Sequence, residues 1–307
     1  MIPTAAALDS LRTIGDPPAD EVICQLFQRK LVENANSLFK LLTENNHMPD
    51  KSHPAAALLN DFLEYTGLLP EFAEQSLLDR GAAFFQDHGP QILTILGAYS
   101  LPLDYAANKG VQVLIRTGRM NGSLNRRIVE TAQMLTDMLQ PGGFLPGGCS
   151  IRVIQKVRLI HAAVRDLIRC HDPTWRDEYG TPINQEDMAG TLLSFSYAVI
   201  DGLQRLGLNP AAADAEAYCH CFRVAGQLLG IQAPLLPSSL DAAKELAHLI
   251  RGRQIVGSSE AGREMTAALL RLMDEAYPWP LKGSDINYAD ANMDNIALEF
   301  GVGFRIK

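Results

Sequence analysis

No run of about 18 or more apolar residues occurs in this 307-residue chain, so no transmembrane helix is expected. Residues 1–20 lack a basic stretch followed by an apolar one; they hold three Asp and one Arg, unlike a secretory signal. Clusters of Lys and Arg are also scarce. The formal net charge is -8, and only the Arg152–Arg169 segment is locally basic, which argues against nucleic acid as a partner. The five cysteines have no framework spacing, as suits reduced thiols, and a cytoplasmic location is expected. Dinucleotide, P-loop, nucleophile-elbow and zinc-ligand signatures are missing. No segment alternates convincingly with period two, which leaves little room for strands.

What remains is helical periodicity over most of the chain. The spacing predicts helices over about Glu21–Thr43, Pro54–Tyr65, Pro70–Gln86, Gln91–Ala98 and Leu124–Leu139, the fifth capped by Ser123. Further helices are expected over Ser150–Arg169, Gln185–Leu206, Ala211–Gly230, Ser239–Arg251 and Ser259–Ala276. With 47% apolar residues and no linker long enough to force a boundary, this reads as one large all-α domain over 1–307.

Three consecutive helices carry narrow polar stripes on apolar cylinders. The first presents Arg158, His161 and Arg165, the second Asp187, Thr191, Ser194 and Asp201, and the third Glu216, His220, Arg223 and Gln227. Stripes facing one another would line a polar pocket inside an apolar core. Buried charges need partners, so such a pocket would hold a carboxylate network or an acidic cofactor. The bland alternative is that each stripe is a solvated face. His161 and His220 sit within apolar helices, where a neutral imidazole is a good metal ligand, although a lone core histidine is more often structural. Cys219-His220-Cys221 looks like a metal clip, but neighbouring helical residues point apart, and two buried small residues beside a histidine is the better reading.

Ordered local patterns resemble one family. Thr117-Gly118-Arg119, Arg126-Arg127 and Glu130-Thr131 precede the run Lys156 to Arg165. Next come Gly180-Thr181-Pro182-Ile183-Asn184-Gln185-Glu186-Asp187 and Thr191 to Ser196, then Tyr218, His220, Arg223, Gly226 and Gly230. Across about 101–231 these are similar to the helical family of latex-clearing rubber oxygenases and the fungal oxygenase of mycophenolic acid side-chain cleavage. The resemblance implies an all-α fold around a b-type haem (heme b, with its iron). It also implies dioxygen-dependent oxidation of a hydrophobic small molecule. By similarity the pocket's glutamate, arginine and third residue fall on Glu130, Arg158 and His161, with Glu130 a buried acid or base. A proximal histidine is expected near Leu192–Leu193, yet no His lies between 172 and 219. The iron ligand is therefore expected at His161 or at His220 supported by Arg223. Arg158 and Arg165 would meet the propionates or bound dioxygen, and Thr191 would offer a hydroxyl. The alternative is a haem-free helical binding or interaction protein, with Glu130–Arg158 and Glu216–His220 or Glu216–Arg223 as buried bridges.

Overall fold

In the computed structural model, residues 2–31, 42, 45, 47–121, 124–256 and 260–276 are described. Among them every regular element is helical. The sequence-expected cap Ser123, residues 32–41 of the first expected long helix and the tail after Pro280 lie outside the described residues. That helix does not run to Thr43 as expected: it ends at Gln28, with Arg29 as its C-cap and Lys30 at φ 53°.

The helices are α1 (Ala5–Leu11), α2 (Pro17–Gln28), α3 (Ala56–Thr66), α4 (Gln75–Ile95), α5 (Leu101–Ala106), α6 (Val111–Asn121), α7 (Leu124–Met138) and α8 (Ser150–His171). There follow α9 (Gln185–Phe195), α10 (Tyr197–Arg205), α11 (Ala212–Leu228), α12 (Leu240–Gln254) and α13 (Glu260–Ala276). A π turn, Leu96–Ser100, joins α4 to α5.

Helices α1, α5 and α6 were not expected from the sequence and α2 ends early, at Gln28; two further departures bear on the packing. Helix α4 runs unbroken through Pro90, where separate helices were expected. The missing proline N–H costs one intrahelical bond. Helix α4 packs closely on α11, the most extensive helix pair among the described residues. That approach needs Gly81: a Cβ there would sit 2.5 Å from Cys221 Sγ and 2.6 Å from the Ala217 carbonyl oxygen. The second departure is the break of Gln185–Leu206 at Ser196, whose backbone leaves the helical region (φ -109°, ψ -84°). The Tyr218 hydroxyl donates to the Phe195 carbonyl at 3.0 Å, so a partner from α11 satisfies the interrupted ladder.

One main apolar core is built from α4, α9, α10, α11 and α12. A second cluster joins α2 and α3 to one side of α8, through Ile23, Leu26, Phe62, Leu159 and Ala162. A third joins α5, α6 and α13 around Tyr105, Val111 and Leu269. Helix α8 therefore bridges two cores, with Ile151 and Ile154 in the first and Leu159 and Ala162 in the second.

Candidate functional site

The basic stripe of α8 is buried, and carboxylates at the start of α2 meet it. Asp16 lies at the N-cap of α2, ahead of Pro17 and Pro18, which suit the first turn because they need no N–H acceptor. Its carboxylate does not cap the helix. It takes Arg158 in a bidentate pair, Nε to Oδ2 at 2.6 Å and Nη2 to Oδ1 at 2.8 Å. Arg158 Nη1 donates to the Leu228 carbonyl at 3.1 Å, which ties α8 to α11. Gly230 makes room for this pair: a Cβ there would lie 2.7 Å from Asp16 Oδ2 and 2.9 Å from Arg158 Cζ. One turn into α2, Asp20 accepts from Arg165 Nε at 2.7 Å, and Arg165 Nη1 donates to the Ile183 carbonyl at 2.7 Å. The i, i+4 carboxylates of α2 thus face the i, i+7 guanidiniums of α8.

These contacts correct two sequence expectations. Arg158 pairs with Asp16, not with Glu130. Glu130 is 57% exposed and accepts from Arg126 Nε in an i, i+4 surface pair, so the buried acid expected on α7 is not formed. An amphipathic helix turns its charged residues to water unless a buried partner holds them, and here Arg126 holds Glu130 outward.

His161 and Arg165 sit one turn apart on α8, and each keeps an atom without a partner. His161 Nδ1 and Arg165 Nη2 are both enclosed and accept or donate no hydrogen bond. Burial, and then the charge of Arg165, push the imidazole down to about 4, so the ring is neutral at physiological pH. The ring is half-buried, and Val157, Ile160 and Val164 beside it on α8 also keep accessible surface; Ile160 is 37% exposed. Orphaned polar atoms inside a fold ask for an explanation, and an absent ligand or ion is one.

His220 lies elsewhere. Its Nε2 accepts the Glu74 backbone N–H at 3.2 Å, and its ring meets Phe72 edge-on. Arg223 stacks its guanidinium on Phe72, 3.8 Å from the ring centre. Both line a cavity of about 80 Å³ whose floor includes Leu192 and Leu193, the segment where the proximal histidine was expected. His161 does not line it. The structure therefore does not bring the two candidate iron ligands together. Glu216 is exposed, and both its carboxylate oxygens accept the Leu240 backbone N–H at 3.1 Å; it caps α12 and bridges neither His220 nor Arg223. Cys219 faces the cavity, whereas Cys221 packs under α4, its thiol donating to the Leu78 carbonyl. Burial pushes the Cys221 thiol up to about 12, so neither geometry nor charge makes a metal clip. Among the described residues no group of three or more His, Cys, Asp or Glu is placed to hold a metal ion, although an axial haem ligand needs only one imidazole.

The second stripe divides. Thr191 is exposed, and Asp187 takes Arg12 Nη1 at 2.7 Å. Ser194 donates to Asp104 at 2.8 Å. Asp201 accepts from Tyr99 and Arg205 near the surface. Burial raises the Asp104 carboxyl to about 7, against the opposing pull of Ser194 and Arg251. Fully buried Glu186 joins Arg12 and Arg253 in a further network. Sequence reading missed Asp16, Asp20 and Asp104. The Asp16–Asp20 spacing was a visible signal for a facing basic helix, while Asp104 carried none, because the groups that act on it, Ser194 on α9 and Arg251 on α12, lie far along the chain.

No helix among the described residues is long and apolar enough to cross a membrane. The solved structure titled latex clearing protein LCP in the closed state superposes with a TM-score of 0.76 at 28% identity, covering 86% of this chain and 71% of that one. The rubber oxygenase of Streptomyces sp. (strain K30) is 28% identical over 281 residues, spanning 90% of this chain and 68% of that protein. A sequence model described as ER-bound oxygenase mpaB/B'/rubber oxygenase, catalytic domain, matches residues 90–288, and this chain therefore belongs to that oxygenase family.

Proposed function

We propose that this protein is a haem-b-dependent oxygenase acting on a hydrophobic small molecule, with His161 as the iron ligand. The observation that carries the reading is the pair of orphaned atoms on adjacent turns of α8, His161 Nδ1 and Arg165 Nη2. A neutral imidazole keeps a lone pair for iron without first losing a proton. Arg165 Nη2 is an unspent donor within the influence of that ring, suited to an acidic group of the cofactor. Arg158 fits the cofactor less well. Asp16 already takes its charge, so its part is to fix α8 against α2 and α11.

Haem, when bound, supplies activation of dioxygen. The protein's own residues do the rest. Val157, Ile160 and Val164 flank His161 and keep part of their surface uncovered, which suits an apolar substrate. The ion pairs at Asp16 and Asp20 hold the His161 turn rigidly. Thr191 lies on an uncovered face of α9 and remains the candidate hydroxyl for a polar end of the substrate. Glu130 enters this reading only if its surface pair with Arg126 opens.

A second reading has its own observation. Both arginines of the stripe are neutralised within the chain, and hydrocarbon side chains, Leu192 and Leu193, stand where a proximal histidine was expected. On that reading the protein is a haem-free binding or interaction protein.

Reconstitution with haemin separates the two. The haem reading expects a strong Soret band that titrates to one haem per chain and that His161→Ala removes or shifts. A folded, cooperatively melting protein that takes up no haemin overturns it. So does a Soret band indifferent to His161→Ala, which would move the ligand to another residue.

A further inference from the structure

The cavity between α4, α9, α11 and the start of α12 has no part in that reading. We propose that it is a binding site for a short-chain carboxylic acid, two to four carbons long, held through its carboxylate by Arg223 and His220. The cation comes first. Arg223 has no carboxylate or carbonyl partner among the described residues; its Nε is enclosed and unpaired, and the guanidinium is held flat on Phe72. A partly buried, stacked and unpaired guanidinium presents a rigid fork that matches a planar carboxylate.

The second donor follows from the tautomer. His220 is 9% exposed, and its Nε2 accepts the Glu74 N–H. In the neutral ring the remaining proton is therefore on Nδ1, a donor with no partner among the described residues. The same bond leaves no Nε2 lone pair for a metal. Burial, then the neighbouring Arg223, lower the imidazole's affinity for a second proton, against the pull of Glu74, which keeps this tautomer dominant near neutral pH.

Size and wall chemistry choose the ligand. A cavity of about 80 Å³ is well below the ~300 Å³ at which drug-sized pockets begin, so only a few heavy atoms fit. Leu77, Leu192, Leu193 and Phe222 form apolar walls that suit a short alkyl chain, while Ser196, Ser238 and Ser239 also line the cavity. Exposed Glu216 and Ser238 stand at the rim, where the Glu216 carboxylate disfavours a dianion. Acetate, propionate and butyrate meet all three conditions.

The test is calorimetric titration of the full-length protein with sodium acetate, propionate and butyrate at constant ionic strength and pH 7. One saturable site is expected, tightening with chain length toward a Kd of about 1 mM for butyrate. Arg223→Gln should weaken it by about tenfold or more, the loss of a charge-assisted pair, and Ala243→Leu should abolish it by filling the cavity. Nitrogen NMR of the wild type guards against a variant that does not fold: the His220 ring and Arg223 side-chain resonances should move with butyrate and not with chloride. Absence of heat and of shifts up to about 50 mM overturns the proposal. Equal binding by a folded Arg223→Gln, or inorganic phosphate binding as well as butyrate, overturns it too. None of these readouts uses haem, so the outcome stands apart from the Soret experiment.

Discussion

Arg165 donates to the carbonyl of Ile183 at 2.7 Å, and Ile183 is held in the left-handed region at φ 51°. A β-branched residue there carries strain of about 1–3 kcal/mol and persists only when its surroundings over-determine it. Here the surroundings are a charged donor on α8 and Asn184, whose side chain caps α9 by accepting the Asp187 N–H. The turn that carries His161 and the start of α9 are thus one mechanical unit. It is anchored through Asp20 to α2.

Asp16→Asn should be strongly destabilising. Asp16 and Arg158 are both buried, so removing the carboxylate leaves an uncompensated guanidinium in the interior, at a cost of about 3–5 kcal/mol. Urea unfolding measures it. A second change, Arg158→Met, should recover much of the loss, because the unpaired charge goes with it. A cost for Asp16→Asn below about 1 kcal/mol would show that water reaches the pair.

Glu130→Gln should change stability by no more than about 0.5 kcal/mol, because the group is exposed and its partner Arg126 is solvated too. The haem-loaded variant should keep its Soret maximum. A displaced maximum would mean that the Arg126 pair opens when cofactor binds and that Glu130 turns inward.

Asp104 should make the protein less stable as the pH rises through neutrality. Its folded-state pKa, about 7, lies above the ordinary 3.8, so the fold favours the protonated form. That contribution is complete below the unfolded value and is lost as pH climbs through the folded one. Melting temperature between pH 5.5 and 8 should fall in the wild type and fall less in Asp104→Asn. Parallel curves would mean that Asp104 is ionised throughout, paired by Arg251.

His161 acts with the opposite slope. Its folded pKa, about 4, lies below the ordinary 6.5, so the fold favours the neutral ring. The unfolded chain binds more protons between those values, and stability from this group is lost as pH falls from 6.5 toward 4. In haem-free protein, His161→Leu should lose less stability over that window than the wild type. Proton NMR should show the wild-type ring still neutral at pH 5; a ring titrating near 6.5 would place it in open water.

The fold class and most helix positions were legible in the sequence, because the apolar spacing of α8, α11 and α12 admits one periodicity only. The end of the expected helix at Leu206 was legible, and Gly207 stands just after it at φ 77°. The course of the chain was not legible at Pro90, where the helix runs on, or at Ser196, where it breaks and the Tyr218 hydroxyl from α11 donates to the Phe195 carbonyl.

The candidate site divides along the same line. The residues of α8 could be chosen from the sequence because a charged stripe on an apolar helix demands partners wherever that helix packs. Which partners arrive is a matter of three-dimensional neighbourhood, and local spacing holds no record of it. Asp16 reached Arg158 across 142 positions of chain, while Glu130 turned to an arginine one turn away. Sequence by itself determined that this is a helical oxygenase-family chain with imidazoles set among apolar residues. Only the tertiary structure decided that His161 stands unpaired while His220 is already held, because a hydrogen bond depends on which backbone passes within about 3 Å.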